Sequence, residues 1–290
     1  MMKIIGTYDA RPHLYSTEKN VTGICTGDWH IADKYAPQPD QACTKEGQTI
    51  KPSWVQKEIK KGLINHLKQI GHVNVLIVNG DVTEGKQLKS FGVPVSDSDT
   101  DTQVEWARQF YEETFYKYNT PDYVLVTMGT PYHVSVGIGG NLDYQFADKI
   151  SNMSNVVFGY PNLGFYLGKE KMLWDVRHRV SIAQVNKLMP MEKTFRMFYH
   201  ECVENNTEVP NVVGRSHNHS VAVEPRNFST GKNKFYGWHA PCLKASDIYG
   251  EQLSYPSSPQ MGVLSFTQSG RVLGGEYHCI ELPSRKTQKI

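Results

Sequence analysis

Residues 73–81 read VNVLIVNGD, a continuous apolar run that ends at a glycine and an aspartate. A run of this length predicts a β-strand that is buried on both faces of a sheet. Two other segments follow the same plan, VTGICTGD at residues 21–28 and DYVLVTMGT at residues 122–130. Three short strands that each end at a glycine therefore predict a sheet with polar residues along one edge.

Helical patterns separate these strands. Ser53–Gly71 carries apolar residues at helical spacing and ends at a glycine, and Asp99–Tyr118 has a similar pattern. The alternation predicts a βαβαβ core with right-handed crossovers. The second half is rich in strand-like segments, with a helix expected near Glu192–Cys202. We therefore predict an α/β fold with two packed mixed β-sheets flanked by helices.

The whole chain, residues 1–290, is expected to form one domain. No linker rich in glycine, serine or proline divides it, and no repeat is apparent. The functional motifs occupy about residues 21–220, and residues 221–290 are expected to complete the second sheet.

The composition is that of an ordinary globular protein, with 39% hydrophobic and 21% charged residues and a net charge of +2. This charge indicates neither a nucleic-acid nor a membrane partner. Five dispersed cysteines form no CxxC pair, which argues against a disulfide framework or a zinc ribbon. The sequence contains no signal peptide pattern and no run of about 18 apolar residues. We expect a cytoplasmic protein without a membrane partner.

Residues with metal-binding side chains follow the predicted strands. They are Asp28 and His30 in GDWH, Asp81 in NGDVTEG, His133 shortly after Gly129, His178 in DVRHRV, and His217 and His219 in RSHNHS. Ligand sites of open α/β sheets lie at the carboxyl ends of the strands, so we expect these side chains to meet. Carboxylates combined with imidazoles favour Mn, Fe or Zn over Ca or Mg.

Asp81 has two carboxylate oxygens and can bridge two metal ions about 3.5–4 Å apart. Such a pair activates water and neutralises a phosphoryl transition state. Glu84, three residues further on, is a candidate for a residue that orients the ligands from behind.

The ordered segments GDWHIAD, NGDVTEG, MGTPYHV, WDVRHRV and RSHNHS resemble the five metal-site blocks of the calcineurin-like metallophosphoesterases. The resemblance implies a four-layer sandwich, two divalent ions and hydrolysis of a phosphate ester by activated water. It also implies a ligand set: Asp28, His30 and His219 for the first ion, His178 and His217 for the second, and Asp81 between them.

Two positions depart from the family pattern. The third block is usually Gly-Asn-His, whereas this chain has Thr130 after the glycine and a two-residue insertion, Pro131 and Tyr132, before His133. His133 is then either a general acid or a metal ligand in place of the missing asparagine, and we assign it as the acid. Ser216 replaces the glycine of the last block and leaves both histidines in place. The change of asparagine to threonine resembles the third block of metallophosphoesterases from phages and prophages. A phage protein of this type would be located in the host cytoplasm.

Arg177 and Arg215 flank the ligand histidines and are candidates to bind substrate phosphate, unless they lie on the solvated face of the sheet. The motif order also places Trp29 and Tyr132 in the crevice. The expected substrate is a phosphodiester, either nucleic acid or a nucleotide, because the chain also resembles the nuclease subunit of double-strand-break repair complexes.

Three alternatives remain open at this stage. They are a phosphomonoesterase or protein phosphatase, a non-catalytic metal-binding scaffold with the same fold, and an unrelated fold with one structural metal. The sequence does not fix the oligomeric state.

Overall fold

The computed structural model describes residues 3–5, 11–86, 95–134, 141–178, 189–219, 222–227, 234–245 and 259–282. The strands, in chain order, are β1 (Lys3–Ile5), β2 (His13–Leu14), β3 (Asn20–Thr26), β4 (Ala42–Cys43), β5 (Thr49–Ile50), β6 (Val75–Asn79), β7 (Tyr123–Thr127), β8 (Asn155–Gly159), β9 (Leu163–Leu167), β10 (Met172–Arg177), β11 (Val212–Arg215), β12 (Ala222–Asn227), β13 (Lys234–His239), β14 (Gly262–Ser269) and β15 (Val272–Cys279).

The helices, in chain order, are α1 (Trp54–Ile70), α2 (Thr100–Tyr111), α3 (Lys117–Asn119), α4 (Pro131–Val134), α5 (Leu142–Ile150) and α6 (Met189–Glu204). A π-helical turn at Glu112–Tyr116 joins α2 to α3. Helix α1 begins at a capping box made by Ser53 and Gln56 and ends at Gly71, as its sequence pattern predicts. No helix in these described segments is both long and apolar enough to cross a membrane.

The first sheet has the strand order β1-β8-β7-β6-β3-β14-β15. The first five strands in this order, β1, β8, β7, β6 and β3, are parallel to one another. Strand β14 runs antiparallel to both of its neighbours, β3 and β15. The second sheet has the order β12-β13-β11-β10-β9-β2 and mixes parallel with antiparallel pairs. The predicted α/β fold with two mixed sheets is therefore confirmed.

The two faces of the first sheet pack against different layers. Leu76 and Val78 of β6 face the helical layer, in a cluster that also contains Phe110 of α2. Val75 and Ile77 alternate with them and face the second sheet. Each of these side chains is buried, which explains why β6 is apolar throughout. Helix α6 lies against β11 on the second sheet.

The prediction for residues 221–290 is corrected in part. Strands β12 and β13 do belong to the second sheet, but β14 and β15 extend the first. Strand β14 pairs with the edge of β3, where Phe266 lies opposite Gly23. A β-carbon at Gly23 would lie 2.3 Å from the Phe266 ring, so this close pairing requires the glycine. The single-domain assignment stays a prediction.

Candidate metal centre

The predicted metal ligands lie at the carboxyl ends of strands in both sheets. Asp28 follows β3, Asp81 follows β6, and His178 directly follows β10. The two histidines of RSHNHS follow β11, and His133 lies in the short helix α4 after β7. The edge of the packed sheets therefore gathers residues from distant parts of the chain, as the sequence predicts.

The structure arranges these side chains in three groups, in each of which the ligand atoms lie within 4.8 Å of one another. The groups are Asp28, Asp81, His178 and His217; Asp28, His30 and His219; and His30, Asp81 and His133. The second group is the set that the family resemblance implies for the first ion. Asp28 and Asp81 each belong to two groups, so both carboxylates link neighbouring groups of candidate ligands.

Distances at Asp28 and Asp81 show how tightly the groups converge. Asp28 Oδ1 lies 3.3 Å from His219 Nε2 and 3.6 Å from the Nε2 atoms of His30 and His178. Asp81 Oδ2 lies 2.9 Å from His178 Nε2. Burial alone would raise the pKa of Asp28 and of Asp81. The neighbouring imidazoles outweigh burial and hold both pKa values below the usual range.

The backbone is unusual at the candidate ligands. Five of them have left-handed φ values: Asp28 (50°), His30 (50°), Asp81 (51°), His217 (74°) and His219 (48°). Residues other than glycine rarely adopt this conformation, which costs about 1–3 kcal/mol and clusters at functional sites. Cross-loop bonds hold it here, because the amides of Asp28 and His30 donate to the carbonyls of Gly80 and Asp81, both at 3.0 Å.

Two glycines allow the neighbouring turns to touch. A β-carbon on Gly80 would lie 2.6 Å from the Gly129 Cα atom, and one on Gly129 would lie 2.1 Å from Asp81 Oδ1. Gly80 also has a left-handed φ of 73°. Only glycine at these positions lets the turn after β7 reach the Asp81 carboxylate.

Two buried atoms at the centre, Asp28 Oδ1 and His30 Nε2, make no hydrogen bond to any described residue. Buried polar atoms are normally satisfied, and an ion is one of the few explanations for an exception. These two atoms lie 3.6 Å apart and combine a carboxylate oxygen with an imidazole nitrogen. This donor set fits a divalent transition metal.

The far sides of three imidazole rings are held so that Nε2 faces the centre. His178 Nδ1 donates to the Asn79 carbonyl at 2.5 Å, and His133 Nδ1 donates to the Glu84 carbonyl at 2.9 Å. His30 Nδ1 lies 2.7 Å from Glu84 Oε2. Such contacts on the second ring nitrogen fix the tautomer of metal-binding histidines. The predicted orienting role of Glu84 is consistent with this contact.

Glu84 also belongs to a buried ion network that no sequence motif indicates. Lys244 Nζ lies 3.3 Å from Glu84 Oε1 and 2.9 Å from Asp33 Oδ2, and all three side chains are buried. Burial alone would raise the pKa of Glu84, but His30 and Lys244 hold it at about 2. Lys244 is 160 residues from Glu84 in the chain, so no local motif reveals the pair.

Lys244→Met is expected to lower the free energy of unfolding of the metal-free protein by about 3–5 kcal/mol, because two buried carboxylates would lose their cation. Chemical denaturation of the variant and wild type measures this loss.

Lys60→Met is the matched control. Lys60 is equally buried, but its partners Asp40 and Glu113 are 76% and 30% exposed. Water can solvate those carboxylates, so the control should lose about 1 kcal/mol or less. Equal losses for the two variants would contradict the proposed difference.

Thr130 contacts the Asp81 carboxylate directly. Its amide donates to Oδ1 at 2.7 Å, and its hydroxyl lies 3.2 and 3.1 Å from Oδ1 and Oδ2. Thr130, which stands where the resembled family has an asparagine, thus restrains the Asp81 carboxylate. Ser216, the other departure, donates through its hydroxyl to the Asn79 carbonyl at 3.0 Å.

Both predicted substrate arginines contact Asp175. The buried Arg215 places Nη2 2.9 Å from Asp175 Oδ2 and also donates to backbone carbonyls. The partly exposed Arg177 places Nε 3.1 Å from both carboxylate oxygens. The role of these arginines in substrate binding stays a prediction.

The expectation that Trp29 lines the crevice is wrong. Its ring is fully buried and stacks on Phe115, with centroids 5.1 Å apart. Trp29 lies between Asp28 and His30 and points away from them into the helical layer, where its indole nitrogen donates to Thr26. Tyr132, in contrast, is 36% exposed beside His133.

No family model and no curated protein matches the chain. Three solved structures are similar to this one at low identity. The first is a conserved uncharacterized protein of Streptococcus pneumoniae TIGR4, described as a predicted phosphoesterase. It matches with a TM-score of 0.36 and 11% identity, over 91% of this chain and 94% of that one. A second is the Thermotoga maritima protein TM1076, with a TM-score of 0.35 and 12% identity over 89% of this chain and 98% of that one.

The sulfate thiohydrolase SoxB of Thermus thermophilus is also similar, with a TM-score of 0.39 and 8% identity over 94% of this chain and 58% of that one. Likenesses at these levels establish neither the family nor the activity of this chain.

Proposed function

We propose that this chain is a metal-dependent phosphoesterase of the calcineurin-like kind that holds two divalent ions, Mn, Fe or Zn. The proposed substrate is a phosphodiester, either nucleic acid or a nucleotide, and the proposed location is the cytoplasm. The proposal rests above all on the convergence of two ligand groups on Asp28, whose buried Oδ1 atom makes no hydrogen bond to a described residue. The order of the sequence motifs supports the phosphoester assignment and suggests the phage or prophage type.

Bound divalent ions would supply Lewis-acid stabilisation of the phosphoryl group and would activate water at neutral pH. The chain contributes the fixed geometry. Asp28 and Asp81 would balance the positive charge of the bound ions. The Thr130 hydroxyl restrains both oxygens of Asp81. Arg177 is partly exposed and is the better placed of the two arginines to meet a substrate phosphate.

His133 is proposed to donate a proton from Nε2 to the leaving oxygen. Its Nδ1 atom is held by the Glu84 carbonyl, and its ring centroid lies 4.6 Å from that of His30. Burial lowers the pKa of His133, whereas the adjacent Asp81 acts in the opposite direction. A neutral ring would suit the alternative role as a metal ligand, because His133 also belongs to a ligand group with His30 and Asp81.

His133→Asn separates the two roles. As the acid, His133 would speed cleavage of an alkyl diester by about 10²–10⁴-fold, so the variant should lose that factor and keep its metal content. The loss should be smaller with p-nitrophenolate, a leaving group that needs little protonation. A fall in metal content with equal losses on both substrates would instead assign His133 as a ligand.

Hydrolysis of bis-p-nitrophenyl phosphate and p-nitrophenyl phosphate tests the proposed function. Each is measured with Mn²⁺, with Zn²⁺ and with chelator. Metal-dependent turnover of the diester supports the phosphodiesterase and leads to DNA, RNA and nucleotides as substrates. Preference for the monoester would assign a phosphatase. A folded protein that binds two ions and cleaves no phosphoester would favour the scaffold.

A further inference from the structure

The buried carboxylate of Asp143 lies behind the metal centre, and no sequence motif assigns it a role. Asp143 is in the first turn of α5 and is fully buried. Unlike the predicted ligands, it does not belong to any of the ligand groups among the described residues. Its function must therefore come from the contacts that it makes to the loops around it.

Asp143 accepts three hydrogen bonds from backbone amides. Oδ2 accepts from Gly129 at 2.7 Å and from Asp81 at 3.3 Å, and Oδ1 accepts from Val82 at 3.0 Å. These amides belong to two different turns, one after β6 and one after β7. A single carboxylate therefore ties together the two turns that meet at the Asp81 side chain.

Asp143 is not the cap of its own helix. The N-cap of α5 is Asn141, whose side chain accepts from the Tyr144 amide at 3.1 Å. An aspartate in a first helical turn is common for its charge alone. Asp143 is distinguished from such a residue because its hydrogen bonds go to neighbouring loops.

These bonds act on Asp81 at both ends. At the backbone, Asp143 holds the amide of Asp81, whose φ of 51° is in the strained left-handed region. At the side chain, Asp143 holds Gly129, and the next residue, Thr130, donates its amide to Asp81 Oδ1 at 2.7 Å. The position of the carboxylate thus depends on Asp143 through two short paths.

We propose that Asp143 is a positioning residue that sets the Asp81 carboxylate in place before metal ions bind. This inference rests on the metal centre of the proposed function. In Asp143→Asn the side chain keeps its shape, but one of the two acceptor oxygens becomes an NH₂ donor. This donor would face a backbone N–H that donates to Asp143 in the wild type, and the hydrogen bond would be lost. The turns would shift, and the oxygens of Asp81 would move relative to the histidines.

The test compares Mn²⁺ affinity and the Co²⁺ absorption spectrum of wild type and Asp143→Asn, starting from metal-free protein. The variant should bind Mn²⁺ about 10–100-fold more weakly, the range found for residues that orient metal ligands. Its Co²⁺ spectrum should change, because the spectrum reports the ligand geometry. Neither measurement requires hydrolysis.

Asn119→Ala is the matched control. Asn119 is also buried and holds backbone segments together, through bonds to the carbonyls of Leu67 and Gly71. It precedes β7, at the end of the sheet opposite the metal centre. The control should lower the unfolding temperature and keep the Mn²⁺ affinity and Co²⁺ spectrum of wild type.

Wild-type affinity and spectrum in Asp143→Asn would overturn the positioning role. If that variant does not fold, amide hydrogen exchange of the metal-free wild type gives the answer. The amides of Asp81, Val82 and Gly129 should exchange as slowly as those of β6, and rapid exchange would overturn the inference. A wild type that binds Mn²⁺ but cleaves no phosphoester would contradict the proposed function alone, whereas one that binds no Mn²⁺ would contradict both.

Discussion

Asp81→Asn is expected to reduce metal-dependent hydrolysis of bis-p-nitrophenyl phosphate by at least about 10²–10³-fold, the loss associated with removing one electrostatic group from a reaction site. Asp81 belongs to two of the three ligand groups, and Oδ2 lies 2.9 Å from His178 Nε2. Asparagine keeps the shape of the side chain, but it removes the charge and one of the two oxygens. Initial rates at saturating Mn²⁺ measure the effect.

Asp99→Asn is the control for this chemical change. Asp99 caps α2 by accepting from the Thr102 amide, and it is not in any of the ligand groups. Asparagine caps a helix about as well as aspartate, so stability and turnover should remain those of wild type. Wild-type turnover in Asp81→Asn, at full metal content, would contradict the assigned role of Asp81.

Asp28→Asn is expected to remove both metal ions. Asp28 is shared by the two groups that contain the six predicted ligands, and its Oδ1 atom lies within 3.6 Å of three Nε2 atoms. Oδ2 accepts from the His217 amide at 2.9 Å and so helps to place that ligand. Metal content per chain, measured after dialysis against a fixed Mn²⁺ concentration, should fall from two to zero.

His219→Asn is the comparison for Asp28→Asn. His219 belongs to only one group, so its loss should leave one ion per chain. Two ions in Asp28→Asn would show that its carboxylate is not shared. Complete metal loss in both variants would show instead that the two ions bind only together.

The centre of the fold could be predicted because its signal is local. Strands β3, β6 and β7 are apolar because both faces of the sheet are covered. A glycine follows each of these strands within two residues. The carboxyl ends of these strands meet at one edge, so Asp28 and Asp81 could be expected to converge. The histidine pairs added the metal chemistry.

The partner of a strand is harder to predict than the strand itself. The segment of β14 reads as a strand, but its place beside β3 depends on the fit of Phe266 over Gly23. Helix α5 and strand β8 were not anticipated at all. These outcomes depend on packing between residues that are distant in the chain.

Side-chain direction and long-range contacts account for the other differences. Trp29 lies between two candidate ligands, Asp28 and His30, yet it faces the opposite side of the turn that their left-handed backbone creates. Asp143 and Lys244 act on the centre through residues far away in the chain. A sequence shows that such residues exist, but only the fold shows what they contact.

Above all, we propose that this chain holds two divalent ions. Equilibrium dialysis of the metal-free wild type against Mn²⁺, with metal and protein quantified in the same sample, tests it most directly. We expect saturation at two ions per chain, because two ligand groups meet at Asp28. Saturation at one ion, or no binding by folded protein, would contradict the account.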